Sequence, residues 1–469
     1  LDVVAQGDTD PFPGTVWAAT YGENNITVFE PADASLCTGA NDPLLDEDDD
    51  GYSNADEIAA GTNPCSGGDK PTDNDGDNES DVSDVDDDND GIEDIVDEFA
   101  LDIDNGLTTN IPVERPFENN DPGTFLFGLG LTGLMTNGTA DYLDQFDPAK
   151  LAAGGNGGEL GVEDVTTGDA LGAANNQDAA FQYGVNADTS TAPFVVTTEV
   201  GSPLFGGATP VDDQSMGLQI GAGDQDNYLK LVVNANGGAG GVKLLQEVSG
   251  FTTDEQQFGA AEIGSEVLDA TAGVVLSFVV DPAALTAQAQ VEIDGGPIVD
   301  LGAPVSIPAA WLDPGDANGL AVGVISTSVN ATPFDARWSY LDVDFLPDVP
   351  VADFSADVVS VSAGESVSFT DLSLNEPSAW SWSFEGGTPS SSALQNPVVV
   401  YDTPGTYDVS LTVSNAGGSD TVTKSGFITV EPAVAPLAVS GVVAVAGPES
   451  VSVSWVAPAD PAVESYRVY

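Results

Sequence analysis

The sequence predicts an all-β protein built from several domains, and three observations favour this class. Its 469 residues include 53 glycines and 30 prolines, which indicates many turns. Short apolar runs, several of them alternating with polar residues at period two, recur between glycine-rich segments. Long stretches with helical periodicity are absent from the sequence. A chain of this length is expected to form about three to five domains.

The charge of the chain restricts its partners. Eight lysines and arginines stand against 77 aspartates and glutamates, and the formal net charge is −69. Such an acidic chain repels phosphate groups, so we expect no nucleic-acid partner and no binding to anionic membrane surfaces. The sequence holds no run of 18 apolar residues, and membrane insertion is therefore not expected.

Residues 1–36 predict a β-hairpin. Thr15–Tyr21 and Ile26–Phe29 are strand-like and flank a turn-forming stretch, GENN. The surrounding sequence PGTVWAATYGENNITVFEP resembles the last strands of a β-propeller blade, which implies that it is the tail of an upstream β domain. An independent hairpin is the alternative.

The stretch from Asp46 to Asp97 holds 21 acidic residues in 52, and one base. Such density is typical of a solvated acidic linker, but the spacing predicts metal binding. Residues 46–57 match the calcium-loop pattern D-x-[DN]-x-[DN]-G-x5-E in full. Gly51 allows the sharp turn that aims three alternating carboxylates at one point. The predicted ligands of this first loop are Asp46, Asp48, Asp50, the carbonyl of Tyr52, Asn54 and Glu57.

The same spacing recurs twice, with aspartate at the last position. Asn78 replaces glycine in the second loop, and asparagine tolerates the left-handed conformation. The predicted ligands of the second loop are Asp73, Asp75, Asp77, Glu79, Asp81 and Asp84. Those of the third loop are Asp86, Asp88, Asp90, Ile92, Asp94 and Asp97. Without Ca²⁺, these carboxylates are expected to repel one another and the segment to loosen.

These loops resemble the thrombospondin type 3 repeats of secreted bacterial proteins. The resemblance implies that residues 37–106 form a compact, helix-poor rod wrapped around calcium ions. Cys37 and Cys65 flank the first loop, and in an exported protein they are expected to form a disulfide. Two free thiols are the alternative.

Residues 107–349 form the largest predicted domain, a two-sheet sandwich of many short strands. The clearest strand, FDARWSYLDVDFL, is predicted to place alternate residues on one side: Ala336, Trp338, Tyr340, Asp342 and Asp344. Trp338 is predicted to lie in the core. This strand and MGLQIGAGDQDNYLKLVV resemble the concanavalin-like jelly rolls of the laminin-G-like group. The resemblance implies glycan binding on a concave face or through rim loops.

The candidate ligand-binding residues of the jelly roll follow a predicted strand end. They are Asp224, Gln225, Asp226, Asn227 and Tyr228, together with Trp311 as a surface on which a sugar ring could stack. An ordinary acidic hairpin loop is the alternative for the five consecutive residues.

Residues 350–432 resemble a polycystic-kidney-disease (PKD) domain, which implies an immunoglobulin-like sandwich. WSFEGG at 382–387 stands where that family has W-x-F-G-D-G. Tyr401, Tyr407, Val409, Leu411 and Val413 alternate, and their apolar face is predicted to point to the core. Residues 433–469 resemble the first three strands of a fibronectin type III domain, with Trp455 at its core-tryptophan position.

Catalysis is not expected. The sequence contains no histidine, which excludes Ser-His-Asp and Cys-His nucleophiles and histidine-bound zinc. Paired-carboxylate chemistry needs no histidine. The E-x-D-x-x-E strand of jelly-roll glycosidases is absent from the sequence, however, and Asp342 and Asp344 have no partner glutamate beside them. The chain is therefore predicted not to be an enzyme.

Together these features predict an extracellular or cell-surface protein for adhesion or presentation. Ca²⁺ would stiffen it, and the jelly roll would bind a polysaccharide or cell-surface glycan. One alternative is a self-associating structural subunit of an extracellular filament, stalk or surface layer. A second alternative is an accessory region of a larger secreted carbohydrate-active enzyme.

Overall fold

The computed structural model describes residues 2–5, 16–20, 25–29, 43–118, 125–154, 158–313, 318–329, 331–433 and 438–457. The chain divides into two compact units, Leu1–Phe345 and Leu346–Tyr469. Most regular structure is β-strand, arranged in several sheets, and the all-β multidomain class is confirmed.

The first unit begins with a small antiparallel sheet. Its strands are β1 (Asp2–Ala5), β2 (Val16–Thr20) and β3 (Asn25–Phe29), with β2 in the middle. Ala19 of β2 pairs with Ile26 of β3. The turn GENN falls largely outside the described residues, and the likeness to a propeller blade stays a prediction.

A short helix, α1 (Asn54–Ala60), follows the first acidic loop. Ser53 caps its start, because the Ser53 hydroxyl accepts a hydrogen bond from the Asp56 backbone N–H at 3.2 Å. Gly61 ends the helix in the left-handed conformation, with φ at 80°. The likeness to helix-poor repeats did not predict this helix.

Two seven-stranded antiparallel sheets form a sandwich in the rest of the first unit. In chain order the strands are β4 (Gly133–Leu134), β5 (Leu151–Gly154), β6 (Glu159–Val162), β7 (Phe181–Val185), β8 (Phe194–Gly201), β9 (Ser215–Gly221), β10 (Tyr228–Asn234), β11 (Val242–Val248), β12 (Phe251–Phe258), β13 (Gly273–Asp281), β14 (Thr286–Ile293), β15 (Val299–Ser306), β16 (Leu320–Thr327) and β17 (Ala336–Phe345). The first sheet has the order β12-β11-β10-β9-β16-β7-β4, and the second has β15-β14-β13-β8-β17-β6-β5. A short helix, α2 (Ala260–Ile263), follows β12.

The core lies between the two sheets and follows the period-two rule for half-buried strands. In β8, Phe194, Val196, Thr198 and Val200 are fully buried, and the three residues that alternate with them are partly exposed. Trp338 of β17 is also fully buried, as predicted, and its indole N–H donates to the Gly217 carbonyl at 3.1 Å.

The predicted alternation of β17 is wrong beyond Trp338. The pairing of β17 with β8 shifts register between Trp338 and Leu341, which is the sign of a β-bulge. One extra residue reverses the faces, so Leu341 and Val343 are fully buried. Asp342, predicted on the side of Trp338, lies instead on the opposite side from the buried pair, partly exposed.

The first sheet is buried on both faces at β10, where all seven residues are buried. Residues 164–180, hereafter the covering segment, pack over its outer face. Ala170 and Ala180 of this segment form an apolar cluster with Tyr228, Val232 and Leu245 of the sheet. The outer face is therefore closed at this point, and the prediction of a glycan site on an open concave face finds no support there.

The second unit contains its own sandwich. Its strands are β18 (Phe354–Ala356), β19 (Ser360–Ser362), β20 (Glu365–Asp371), β21 (Ala379–Phe384), β22 (Ser391–Ser392), β23 (Val398–Tyr401), β24 (Gly405–Asn415) and β25 (Gly418–Glu431). A three-stranded sheet, β18-β20-β23, faces a five-stranded one, β19-β25-β24-β21-β22. Val409, Leu411 and Val413 are fully buried, which confirms the predicted core face of β24.

A hairpin of β26 (Ser440–Ala446) and β27 (Val451–Val456) follows the second sandwich. Most of its valines are exposed, and Trp455 is partly exposed. The third predicted fibronectin-like strand, at Tyr466–Tyr469, lies outside the described residues, so a fibronectin domain stays a prediction. Across the described residues no helix has the length and apolar character needed to cross a bilayer.

Candidate metal sites and a polar cleft

The first acidic loop brings its three alternating carboxylates together. One oxygen from each of Asp46, Asp48 and Asp50 lies within 4.8 Å of the others. The Asp46 carboxylate accepts hydrogen bonds from the backbone N–H groups of Asp50 at 3.1 Å and Gly51 at 2.9 Å. Gly51 has a φ of 112°, a conformation that residues with a side chain rarely adopt. The shape of this loop is thus set by hydrogen bonds between its own side chains and its own backbone.

Helix α1 carries the two remaining side-chain ligands predicted for this loop. Asn54 and Glu57 are fully buried, and both oxygens of Glu57 lack a hydrogen-bond partner. Both oxygens of Asp48 are likewise buried without a partner. Burial raises the pKa of Glu57 to about 7, and the charges of Asp48 and Asp50 add to the effect. Within the described part of the chain, no basic side chain forms an ion pair with these carboxylates, and buried charges of this kind are usually neutralised by a partner or a metal ion.

The third loop repeats this arrangement in a more buried setting. Oxygens of Asp86, Asp88 and Asp90 lie within 4.8 Å of one another, and Gly91 has a φ of 97°. Asp97 is 1% exposed. One oxygen each of Asp88, Asp94 and Asp97 is buried without a hydrogen-bond partner. Burial raises the pKa of all three carboxyls to about 7.

The second loop has the same geometry with greater exposure. Oxygens of Asp73, Asp75 and Asp77 lie within 4.8 Å of one another. Asn78 has a φ of 75°, which is the left-handed conformation expected from asparagine at the glycine position. Its backbone N–H donates to Asp73 at 3.1 Å.

The other residues predicted for the second loop are held differently. Glu79 is exposed, and Asp81 is nearly buried and accepts a hydrogen bond from the Asn74 N–H. Asp84 accepts hydrogen bonds from the N–H groups of Val85 and Asp86. Among the described residues of this loop, no carboxylate oxygen is both buried and without a partner. The second loop therefore has a weaker need for a cation than the first and third.

The donor set fits a hard divalent cation. Every converging side-chain group is a carboxylate or amide oxygen, which Ca²⁺ prefers and which zinc-type sulfur and nitrogen sites lack. The buried unpartnered oxygens of the first and third loops would otherwise each carry a desolvation cost. Ca²⁺, when bound, would neutralise them, and Asp48, Glu57, Asp88 and Asp97 would be among the residues that hold it.

Residues 43–106, hereafter the acidic segment, are bound to the sandwich by hydrogen bonds from side chains that the sequence analysis did not single out. The Tyr142 hydroxyl donates to Asp87 at 2.7 Å, and the Thr136 hydroxyl donates to the Ile95 carbonyl at 2.9 Å. The Gln182 side chain donates to the Glu98 carbonyl at 2.9 Å. These contacts span 41 to 84 residues of sequence, and no local pattern could have indicated them.

A polar cleft lies where this segment meets the rim of the sandwich. A cavity of about 250 Å³ is lined by Glu98, Asp224, Asp226 and Asn227, among others. The structure thus brings four of the predicted ligand residues, Asp224, Gln225, Asp226 and Asn227, to one cleft. Asp224 accepts hydrogen bonds from the Asp226 N–H at 2.7 Å and from the Asn227 amide at 3.0 Å. Burial raises the pKa of Asp224.

A neighbouring cavity of about 300 Å³ shares Glu98 and Asn227 and also contains Asn318. Burial raises the pKa of Glu98 to about 7, and the charge of Asp224 adds to it. The side-chain oxygens of Asn175, in the first cavity, and of Asn318, in the second, are buried without hydrogen-bond partners. Sequence reasoning missed Glu98, Asn175 and Asn318, because they come from three separate stretches of chain.

Two predicted ligand residues, Tyr228 and Trp311, expose too little of their rings to bind a sugar by stacking. Tyr228 is fully buried, and its hydroxyl donates to Glu247 at 3.3 Å. Trp311 is 4% exposed and belongs to the sandwich core. A ring in either position presents too little area for stacking on a sugar, which argues against the predicted role of Trp311. The Cys37–Cys65 disulfide stays a prediction, because Cys37 lies outside the described residues.

Comparison with known proteins identifies one part of the chain by family. The PKD domain model matches residues 348–430. The PKD1 domain of the Vibrio cholerae metalloprotease PrtV is 31% identical, with 18% of this chain and 96% of that chain covered, at a TM-score of 0.15. A search of curated protein sequences found no match.

Several solved structures that are similar to this chain are of glycoside hydrolases. The GH43B protein of a Bacteroides ovatus xyloglucan PUL is 15% identical, with 50% of this chain and 39% of that chain covered, at a TM-score of 0.35. A xylan β-1,4-xylosidase from Bacillus halodurans C-125 is 15% identical, with 42% and 35% covered, at a TM-score of 0.32. The chain thus spans less than two fifths of the length of these enzymes.

These findings contradict the prediction that the chain is not an enzyme, and we withdraw it. The matched structures are of GH43 glycoside hydrolases. At these identities and TM-scores the likeness assigns no activity to this chain.

Proposed function

We propose, from the premise that residues 348–430 form a PKD domain, that the chain is a secreted, calcium-dependent, carbohydrate-binding region of a larger carbohydrate-active enzyme. Three acidic loops would bind Ca²⁺ and so stabilise the segment that lines one side of the polar cleft. The cleft would bind the glycan. The PKD sandwich would act as a spacer.

The observation that carries the calcium proposal is the set of buried carboxylate oxygens without partners in the first and third loops. In each of these two loops, one oxygen from each of three alternating aspartates lies within 4.8 Å of the others. Buried charges in proteins are paired or coordinate metals, and the described residues offer these oxygens no basic side chain as a partner.

Isothermal titration calorimetry of the metal-free protein tests this proposal. We expect saturable Ca²⁺ binding, with the first and third loops accounting for the tightest sites. Mg²⁺ should bind more weakly, because it demands six ligands in a smaller octahedral cage and releases its waters reluctantly. Absence of measurable binding heat with millimolar Ca²⁺ would contradict the calcium proposal.

The glycan part of the proposal rests on the unpartnered amide oxygens of Asn175 and Asn318. Each residue lines one of the two adjoining cavities, and its amide oxygen has no hydrogen-bond partner among the described residues. A sugar hydroxyl would supply that partner. Glu98 and Asp224 could accept further hydroxyl donors from the same glycan. Convergent polar groups in a cleft are the usual basis of orientation and specificity for such ligands.

Retention on a xylan column and a glycan array would test the cleft. We expect Asn175→Ala and Asn318→Ala to weaken retention, whereas Asn110→Ala, which does not line either cavity, should leave it unchanged. Equal retention of all three variants would show that the sugar binds elsewhere or not at all.

A second candidate function is assembly into an extracellular filament or surface layer. The β26–β27 hairpin exposes Val442, Val445, Val451 and Val456, each by 58% or more. A two-stranded sheet with uncovered apolar residues is marginally stable alone. Size-exclusion chromatography with light scattering separates the candidates: open-ended assemblies support the filament, and a monomer supports the accessory region.

A further inference from the structure

A buried lysine lies beneath the covering segment. Lys230 of β10 has a side chain that is 6% exposed, on the outer face of the first sheet. Burying an ammonium group costs several kcal/mol, which nearby carboxylates offset only in good geometry. Burial lowers the pKa of Lys230, although the charge of Asp169 acts in the opposite direction. A desolvated amine of this kind is a competent nucleophile.

The nearest carboxyl group belongs to the covering segment. Asp169 Oδ1 lies 3.6 Å from Lys230 Nζ. The backbone around Asp169 is held in place, because its N–H donates to the Asn176 side chain at 3.0 Å. Gly168 packs so closely on the Asn176 carbonyl that a Cβ there would lie 1.9 Å from it. The carboxyl is thus presented to the amine by a segment with little room to shift.

A second carboxyl group lies beside this pair. Glu247 of β11 is the cross-strand partner of Tyr228, which lies two residues before Lys230, so Glu247 lies on the same face of the sheet as Lys230. It is fully buried and accepts hydrogen bonds from the Gly172 N–H at 2.9 Å and the Tyr228 hydroxyl at 3.3 Å.

Burial raises the pKa of Glu247, which favours its protonated form. A protonated carboxyl near an amine can exchange protons with it, which is the basis of general acid–base catalysis. Met135, Ala170, Ala180, Leu245 and Ile325 belong to the apolar cluster beneath the covering segment, and the Lys230 side chain is only 6% exposed to solvent. Removal of water favours amide formation over hydrolysis.

We propose that Lys230 and Asp169 condense into an intramolecular amide. The neutral Nζ attacks Cγ of the Asp169 carboxyl, an N–C bond forms, and one C–O bond breaks. The proton released by the nitrogen passes through Glu247 to the departing oxygen, which leaves as water. The step needs no oxidant, reductant or cofactor, since one amine and one carboxylic acid give one amide and one water.

Such a bond would tie the covering segment covalently to β10. It would keep the outer face of the sheet closed even when the acidic segment loosens, because Asp169 and Lys230 belong to the sandwich part of the unit. The inference is independent of calcium and of glycan binding.

Intact-mass spectrometry of the reduced, denatured protein tests the proposal directly. We expect the wild-type mass to be lower than the sequence mass by one water molecule. Digestion with a protease that cleaves at aromatic residues should release a branched peptide that contains both Lys230 and Asp169. A wild-type mass equal to the sequence mass would overturn the proposal and leave an ion pair only.

Variants assign the roles of the three side chains. Lys230→Arg and Asp169→Ala should have the full mass of their sequences, and so should Glu247→Gln, which keeps an acceptor for Gly172 but has no acidic proton. Lys243→Arg is the matched control: Lys243 lies on the neighbouring strand and pairs with Glu255 at 2.7 Å near the surface. It should still lose one water. Loss of water in Lys230→Arg would also overturn the assignment.

Discussion

Asp48 and Asp49 are adjacent in the first acidic loop, yet their surroundings differ. Both oxygens of Asp48 are buried without partners, whereas Asp49 is exposed. We expect Asp48→Asn to weaken Ca²⁺ binding at this loop by at least about tenfold, or about 1.4 kcal/mol, because a charged ligand is lost. Asp49→Asn should change the affinity little, since asparagine tolerates the φ of 61° at this position.

Calorimetric titration of the two variants side by side measures this difference. The pair is well matched, because each substitution removes one charge from the same loop. If both variants lost affinity equally, the effect would be one of overall charge, and Asp48 would not be a ligand.

Asp371 of the second unit predicts a pH dependence of stability. Burial alone would raise its pKa, but hydrogen bonds from the Ser373 N–H, the Trp380 indole at 2.7 Å and Gln395 outweigh burial and lower it. A carboxyl with a lowered folded-state pKa adds stability above its unfolded pKa. That stability is lost as the pH falls through the folded-state value.

The second unit should therefore lose stability between about pH 5 and pH 2, and Asp371→Asn should show a smaller loss. Calorimetric melting of the full chain across this range provides the measurement. Asp402→Asn, at an exposed position, is the control and should follow the wild type. Parallel pH profiles for the wild type and Asp371→Asn would contradict the prediction.

At the scale of the element, the strands show where sequence patterns succeed. In β24 the alternation correctly predicted the buried face. Val409, Leu411 and Val413 all lie on the same side of the register shift in that strand, so the period of two is uninterrupted among them. In β17 the alternation failed beyond Trp338, because a bulge adds one residue within the strand. A bulge depends on the pairing partner, which the strand's own sequence does not reveal.

The junction between the acidic segment and β7 depends on two facing glycines. A Cβ at Gly184 of β7 would lie 2.7 Å from the Cα of Gly106 and 3.0 Å from the Asn105 carbonyl. Gly184→Ala should therefore push the end of the acidic segment away from the sheet and destabilise the first unit by about 1–3 kcal/mol. The melting temperature of that unit is the measurement.

Gly161→Ala is the control for this prediction. Gly161 is also a strand glycine, but a Cβ there would meet the Ala152 side chain at 3.5 Å, which is ordinary contact. A melting temperature near that of the wild type is expected. Equal destabilisation by both substitutions would mean that the Gly106–Gly184 contact has no special role.

At the scale of the whole molecule, removal of Ca²⁺ should change the thermal stability of the first unit and leave that of the second unchanged. The acidic loops belong to the first unit, and the second has its own core around Trp382 and Phe354. Chelation should lower the melting temperature of the first unit, because metal binding contributes to its folding free energy. The second unit should melt at the same temperature with and without Ca²⁺.

Differential scanning calorimetry in EGTA and in millimolar Ca²⁺ would show this result as one moving and one fixed transition. The fixed transition serves as an internal control for general effects of the ion on a chain with a net charge of −69. No change in either transition would remove the structural role proposed for calcium.

The acidic loops and the PKD core face follow from sequence alone, for a local reason. In the loops, Asp46 and Asp86 fold their own backbone by accepting N–H groups four and five residues ahead. In β24 the period of the strand places alternate side chains on one face. Such short-range geometry repeats wherever the residues repeat.

The cleft and the buried lysine pair depend on the tertiary structure. Glu98, Asn175, Asp224 and Asn318 come from four distant stretches of the chain. They line two adjoining cavities because elements far apart in sequence pack together at the rim of the sandwich. Asp169 meets Lys230 for the same reason. Contacts at such sequence separation are set by packing of whole elements, and no local pattern of residues encodes them.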